Sequence, residues 1–222
     1  MKPLKILRSG LRLLCLVMLA FSAFSLFAGN PDPVGVTTAM AFGFADLTWG
    51  DGIENMGGFT SVAYLGFIPE IATFPTRNAA PTTPTEAITL TGAFVMKPEK
   101  KFIEVYVTPG TFDASAENQG ETDAKSFHIK GELFYPGTQA DCLAFCRMIN
   151  NNRAVLIGTN PNTGERYCWG EQHLPVTFKP KVTWGKGPAD RRGATIEWEC
   201  DSFSPAWIYS GALPLSPAPA GG

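Results

Sequence analysis

The chain has 222 residues, with 18 basic and 20 acidic side chains, a formal net charge of −2, 45% apolar and only 17% charged residues. That suits one globular domain with a real core, alone or with appendages, and 23 Gly with 18 Pro stay below the level of a disordered low-complexity chain. The weak negative charge argues against a nucleic-acid binder that relies on phosphate neutralisation, and two histidines leave little room for a His-built metal or catalytic centre.

Residues 1–28 differ from the rest. They carry Lys2, Lys5, Arg8 and Arg12 and no acid, then an apolar run from Leu13 to Phe27 broken by Ser22 and Ser25, then Ala28. A basic start, an apolar stretch and a small residue read as a secretory signal peptide. The run is short of the roughly 20 apolar residues of a membrane span. Cys15 comes after Leu13 and Leu14 and lacks the small neighbour of a lipoprotein cleavage site. A second reading takes Met40, which opens Met40-Ala41-Phe42-Gly43, as the start of translation and residues 1–39 as upstream sequence. Without residues 1–28, 14 basic residues face 20 acidic ones, and Cys142, Cys146, Cys168 and Cys200 remain. In a secreted chain these four allow two disulfides in three connectivities. In a cytoplasm they are buried thiols acting as small apolar side chains.

Residues 40–58 hold Trp49-Gly50-Asp51-Gly52 and Met56-Gly57-Gly58 and read as a loop or extended arm. Phe59–Phe67 is a strand, with Val62, Tyr64 and Leu65 as β-formers. Pro69, Pro75, Pro81 and Pro84 punctuate the next stretch, and Asn78–Thr85 is an exposed loop. Ile88–Met96 and Phe102–Thr108 are strands joined by a charged turn, and Pro109–Lys125 is a long polar surface loop. Ser126–Tyr135 alternates through Phe127, Ile129, Leu133 and Tyr135. Thr138 then N-caps a helix over Thr138–Asn150, in which Cys142, Phe145, Cys146 and Ile149 share a face. Arg153–Thr159, Arg166–Trp169, Leu174–Trp184 and Ala194–Phe203 are strands, with a Gly-rich hairpin loop over Gly185–Gly193. Residues 212–222 are a flexible Pro/Ala/Gly tail. The expected fold is mainly β, a sandwich or barrel with one helix packed across it.

No catalytic motif appears: there is no Gly-x-Ser-x-Gly elbow and no phosphate loop. Gly185-Lys186-Gly187 precedes Pro188 and a strand, so it reads as a hairpin turn. Zinc on Cys142 and Cys146 would need two more ligands from Cys168, Cys200, His128 and His173, at spacings that fit no zinc module. His128 lies in an alternating strand and faces solvent, and His173 lies in a loop. Glu117, Glu121 and Asp123 lack the calcium-loop pattern and read as a solvated loop. Trp169, Trp184, Trp198 and Trp207 read as core, with a sugar groove as the alternative. No catalytic, cofactor-binding or metal residue is assigned.

From Met40 the chain resembles the major tail tube proteins of tailed bacteriophages, especially those of phages infecting Bacteroidetes-type hosts. Four stretches carry the resemblance, by their order. They are the arm with Asp51-Gly52 and Asn55-Met56-Gly57-Gly58 running into Tyr64-Leu65-Gly66-Phe67 and Ala72-Thr73-Phe74-Pro75; Asn118-Gln119-Gly120-Glu121 before a strand; Tyr135-Pro136-Gly137-Thr138 entering a helix that ends at Asn150-Asn151-Asn152; and the closing order of strand, turn, Trp169-Gly170, Gly-rich hairpin and Ala194–Phe203. The resemblance covers most of residues 40–211. It implies a β-sandwich with one flanking helix, a structural virion protein rather than an enzyme, and hexameric rings whose sheets join into an inner barrel. It also implies rings stacked through loops and arms, assembly in the host cytoplasm, and partnership with tape measure and tail terminator or baseplate proteins. DNA would pass through without specific binding, and the mature chain would have no membrane partner. On this reading residues 1–39 are not part of the working protein. The alternative from the residues themselves is a secreted β-sandwich binding module with disulfides.

Overall fold

The computed structural model describes residue 43 and residues 46–217. The leader, residues 1–39 with Cys15, lies outside the described residues, as does the end of the tail.

In chain order the strands are β1 (Val62–Phe67), β2 (Ile71–Thr73), β3 (Thr76–Arg77), β4 (Thr89–Thr91), β5 (Val95–Met96), β6 (Ile103–Tyr106), β7 (Ser115–Gln119), β8 (Ser126–Pro136), β9 (Ala154–Thr159), β10 (Arg166–Trp169), β11 (Thr177–Thr183), β12 (Gly193–Ser202) and β13 (Trp207–Tyr209). Helix α1 (Pro84–Ile88) precedes β4, and helix α2 (Ala140–Ile149) joins β8 to β9. Seven strands form one sheet in the order β3-β4-β13-β10-β9-β1-β6, four form a second in the order β11-β12-β8-β7, and β2 with β5 makes a small ribbon. The fold is mainly β and sandwich-like, with α2 packed at the side.

The seven-stranded sheet is covered on both faces, and β9 shows why. Its sequence Ala154-Val155-Leu156-Ile157-Gly158 is buried throughout, the continuous apolar run expected of a strand with no wet face. Ala154 and Leu156 point into one core with Leu65, Ile129, Leu133, Ile196, Trp198 and the helix residues Cys142, Cys146 and Ile149. Val155 and Ile157 point into another with Phe94, Met96, Phe102, Trp207 and Tyr209.

The four-stranded sheet is one-sided, and its long strands alternate accordingly. Strands β8 and β12 pair over ten residues, from Gly193 opposite Pro136 to Ser202 opposite Phe127. Ile129, Leu133, Ala194, Ile196, Trp198 and Cys200 face the core. Gly131, opposite Trp198, leaves the room that the indole fills: a Cβ there would stand 2.7 Å from Trp198 Cζ2.

Several local expectations are corrected. Thr138 is not the N-cap of α2: the helix begins at Ala140 behind Gln139, and the buried Thr138 hydroxyl accepts a hydrogen bond from Arg192 Nε at 2.6 Å. The polar stretch Pro109–Lys125 is not all loop, because β7 runs within it. This strand is held by backbone pairing to β8 and is exposed along most of its length, so no apolar alternation marks it. Asn78–Thr85 runs into α1, capped by Thr83 Oγ1 accepting from the Glu86 amide at 3.2 Å, so the described residues hold two α-helices rather than one. The strand expected over Ile88–Met96 is split between two sheets. Strand β13 adds an element that the apolar pattern does not announce. The tail is anchored where it begins: Phe102 donates its amide to the Pro214 carbonyl at 2.9 Å, and Leu213 and Leu215 pack on the second core.

Candidate assembly interface

The outer face of the four-stranded sheet is polar because its strands alternate. It presents Ser115, Glu117 and Gln119 from β7; His128, Lys130 and Glu132 from β8; Thr195, Glu197, Glu199 and Asp201 from β12; and Lys179 and Lys181 from β11. Charges are matched across strands. Lys130 Nζ stands 2.7 Å from Glu117, Lys179 Nζ 2.8 Å from Glu199, and His128 Nδ1 2.9 Å from Asp201 Oδ1. Gln119 Nε2 donates to the same Asp201 oxygen at 2.9 Å. The bond with His128 holds the Asp201 carboxyl below the usual range, with help from Gln119. The bond from Lys130, and its charge, do the same for Glu117. Such exposed pairs contribute little to stability; the face as a whole is net acidic, five carboxylates to three lysines.

Both edges of this sheet are open: among the described residues nothing pairs with the outer side of β7 or β11. Pro180 lies on β11, where an edge position spares a ladder bond but removes one donor from any added strand. Strand β7 carries no proline. Four large apolar side chains of the arm are also without cover: Leu47, Trp49, Ile53 and Met56 are 103%, 66%, 55% and 63% exposed.

Comparisons with protein-family models, with curated proteins and with solved structures return no match. The arrangement of the residues is therefore what bears on function.

The structure separates most of the residues singled out above. Cys142, Cys146, Cys168 and Cys200 are free and buried, so none is bridged. Burial pushes the Cys146 thiol up to about 11, with Cys142 beside it adding to the effect, and Cys200 up to about 12. Burial also pushes Cys168 up. These are core thiols, not nucleophiles. Among the described residues no group of three or more His, Cys, Asp and Glu is placed to hold a metal ion. Trp169, Trp198 and Trp207 are core residues and Trp184 alone of the four is exposed, so they do not line one groove. The Gly185-Lys186-Gly187 turn is closed from within, since Asp190 Oδ2 accepts from the amides of Lys186 at 2.6 Å and Gly187 at 2.8 Å.

The two histidines come together, which their separation in sequence concealed. His128 and His173 line one open cavity of about 370 Å³, with Arg153, Leu174, Pro175 and Asp201. A second cavity, of about 240 Å³, lies between β6 and α2 and is mostly apolar.

Proposed function

We propose that this chain is the subunit of a bacteriophage tail tube: a structural virion protein that forms hexameric rings and stacks them into a conduit for DNA. The observation that carries this reading is the one-sided, open-edged four-stranded sheet. Its apolar face is packed on the core and its other face is polar and net acidic. Neighbouring strands lie about 4.8 Å apart, so six such sheets joined edge to edge span a perimeter of about 115 Å and a backbone diameter of about 37 Å. With side chains pointing inward, that leaves a passage wide enough for a DNA duplex. A net-acidic wall repels phosphate, so DNA slides without being held. The partners of this reading are further copies of the chain, a tape measure protein inside the tube, and terminator or baseplate proteins at its ends.

The test is expression in a bacterial cytoplasm, full length and from Met40, with negative-stain electron microscopy and thiol titration of the product. Rings or tubes with Cys142, Cys146, Cys168 and Cys200 all free are expected. Monomers carrying disulfides would refute the reading and favour a secreted binding module.

A further inference from the structure

We propose that the arm, residues 46–58, of one copy docks into the cavity of His128, Arg153 and His173 on the next copy, as a head-to-tail contact between rings. The proposal rests on the tail tube reading and names the surfaces through which the rings stack.

Charge is the first argument. Between residues 46 and 58 the arm carries Asp46, Asp51 and Glu54 and no basic residue. The cavity carries both signs, Glu199 and Asp201 against Arg153, but leaves a cation free. Its carboxylates are already engaged, Asp201 with His128 and Gln119, and Glu199 with Lys179. Among the described residues the exposed Arg153 guanidinium has no ion-pair partner, and His173 is exposed at the rim. Leu174 and Pro175 give the same cavity an apolar wall for the uncovered side chains of Leu47, Trp49, Ile53 and Met56. An arm that is both acidic and apolar matches a cavity with an available cation and an apolar wall.

Placement is the second argument. The arm joins the body at one end of β9: Thr60 donates its amide to the Thr159 carbonyl at 3.0 Å, and Asn162 Nδ2 donates to the Met56 carbonyl at 3.0 Å. Arg153 immediately precedes the other end of the same strand. Six residues at about 3.3 Å each put the two roughly 20 Å apart. A donor surface at one end and an acceptor at the opposite end suit a heterologous contact, which repeats head to tail and produces an open stack; a reciprocal two-fold exchange of arms would instead stop at dimers.

The experiment uses the full-length chain and compares tube assembly by sedimentation and electron microscopy. Arg153→Glu is expected to raise the concentration needed for stacking about tenfold while leaving single rings intact. Trp49→Ala, on an exposed residue whose loss does not disturb the fold, is expected to act in the same direction. Combining Arg153→Glu with Asp51→Lys and Glu54→Lys should restore stacking. Wild-type tubes with Arg153→Glu and Trp49→Ala both stacking normally would overturn this contact alone. So would wild-type rings that never stack, or a charge swap that recovers nothing. A wild-type chain that stays monomeric would overturn the tail tube reading, and this contact with it.

Discussion

Replacing Gly131 by alanine tests how the polar-faced sheet is held to its core. The new methyl would stand 2.7 Å from Trp198 Cζ2, 2.8 Å from Cε2, and closer still to the Asp113 carbonyl oxygen. Neither neighbour is free to retreat. The Trp198 ring packs against Trp169 with centroids 5.1 Å apart. Asp113 is tied to β8 twice: its amide donates to the Glu132 carbonyl at 3.0 Å, and its Oδ1 accepts from the Glu132 amide at 2.6 Å. Overpacking of this kind costs about 1–3 kcal/mol. The stiffer unfolded chain returns about 0.4–1 kcal/mol, which leaves a net loss of about 1–2 kcal/mol. For a folded unit of this size that lowers the melting temperature by about 2–8 °C, measurable by circular dichroism or calorimetry. Trp198→Phe removes the outer indole ring, including Cζ2, together with an indole N–H that has no partner. In that background Gly131→Ala should cost about 1 kcal/mol less, a coupling expected of residues in contact. A melting temperature unchanged by Gly131→Ala, or an equal loss in both backgrounds, would refute the packing described.

Two further outcomes concern the outer face and the thiols. Asp201 has its carboxyl pKa depressed by His128 and Gln119, so its stabilising effect is present above the unfolded value of about 4 and is lost as pH falls through the lower folded value. Asp201→Asn should therefore melt slightly below wild type at pH 6, with the gap closing below about pH 4; a gap that persists to about pH 2.5 would show that the carboxylate is not its source. Cys142, Cys146, Cys168 and Cys200, buried and in two cases with thiols near 11 and 12, should resist iodoacetamide at about pH 8 for hours and react fully in denaturant, as read by peptide mass spectrometry. Rapid labelling of any of the four in the native protein would contradict the burial described.

Elements whose side chains carry a period are legible in the amino-acid pattern. Strands β8 and β12 alternate because one face is wet and the other dry, and the face of α2 with Cys142, Phe145, Cys146 and Ile149 repeats because it packs on a core. Where that physics is absent, the sequence is silent. Strand β7 is held by backbone bonds to β8 and by exposed polar side-chain contacts, so it shows no apolar pattern, and the three-residue β13 is too short to show one. The Ile88–Met96 stretch looks like one strand, but Gly92, at a positive φ, lets it change sheets. Thr138 has the chemistry of an N-cap, but Arg192, 54 positions away, takes its hydroxyl. The same limit applies to the proposed contact surfaces. The acidity and apolar content of the arm are legible residue by residue. That His128, Arg153 and His173 share one cavity, at the end of β9 opposite the arm, depends on strand order and register. Those are contacts between residues far apart in the chain, and only the folded sheet brings them together.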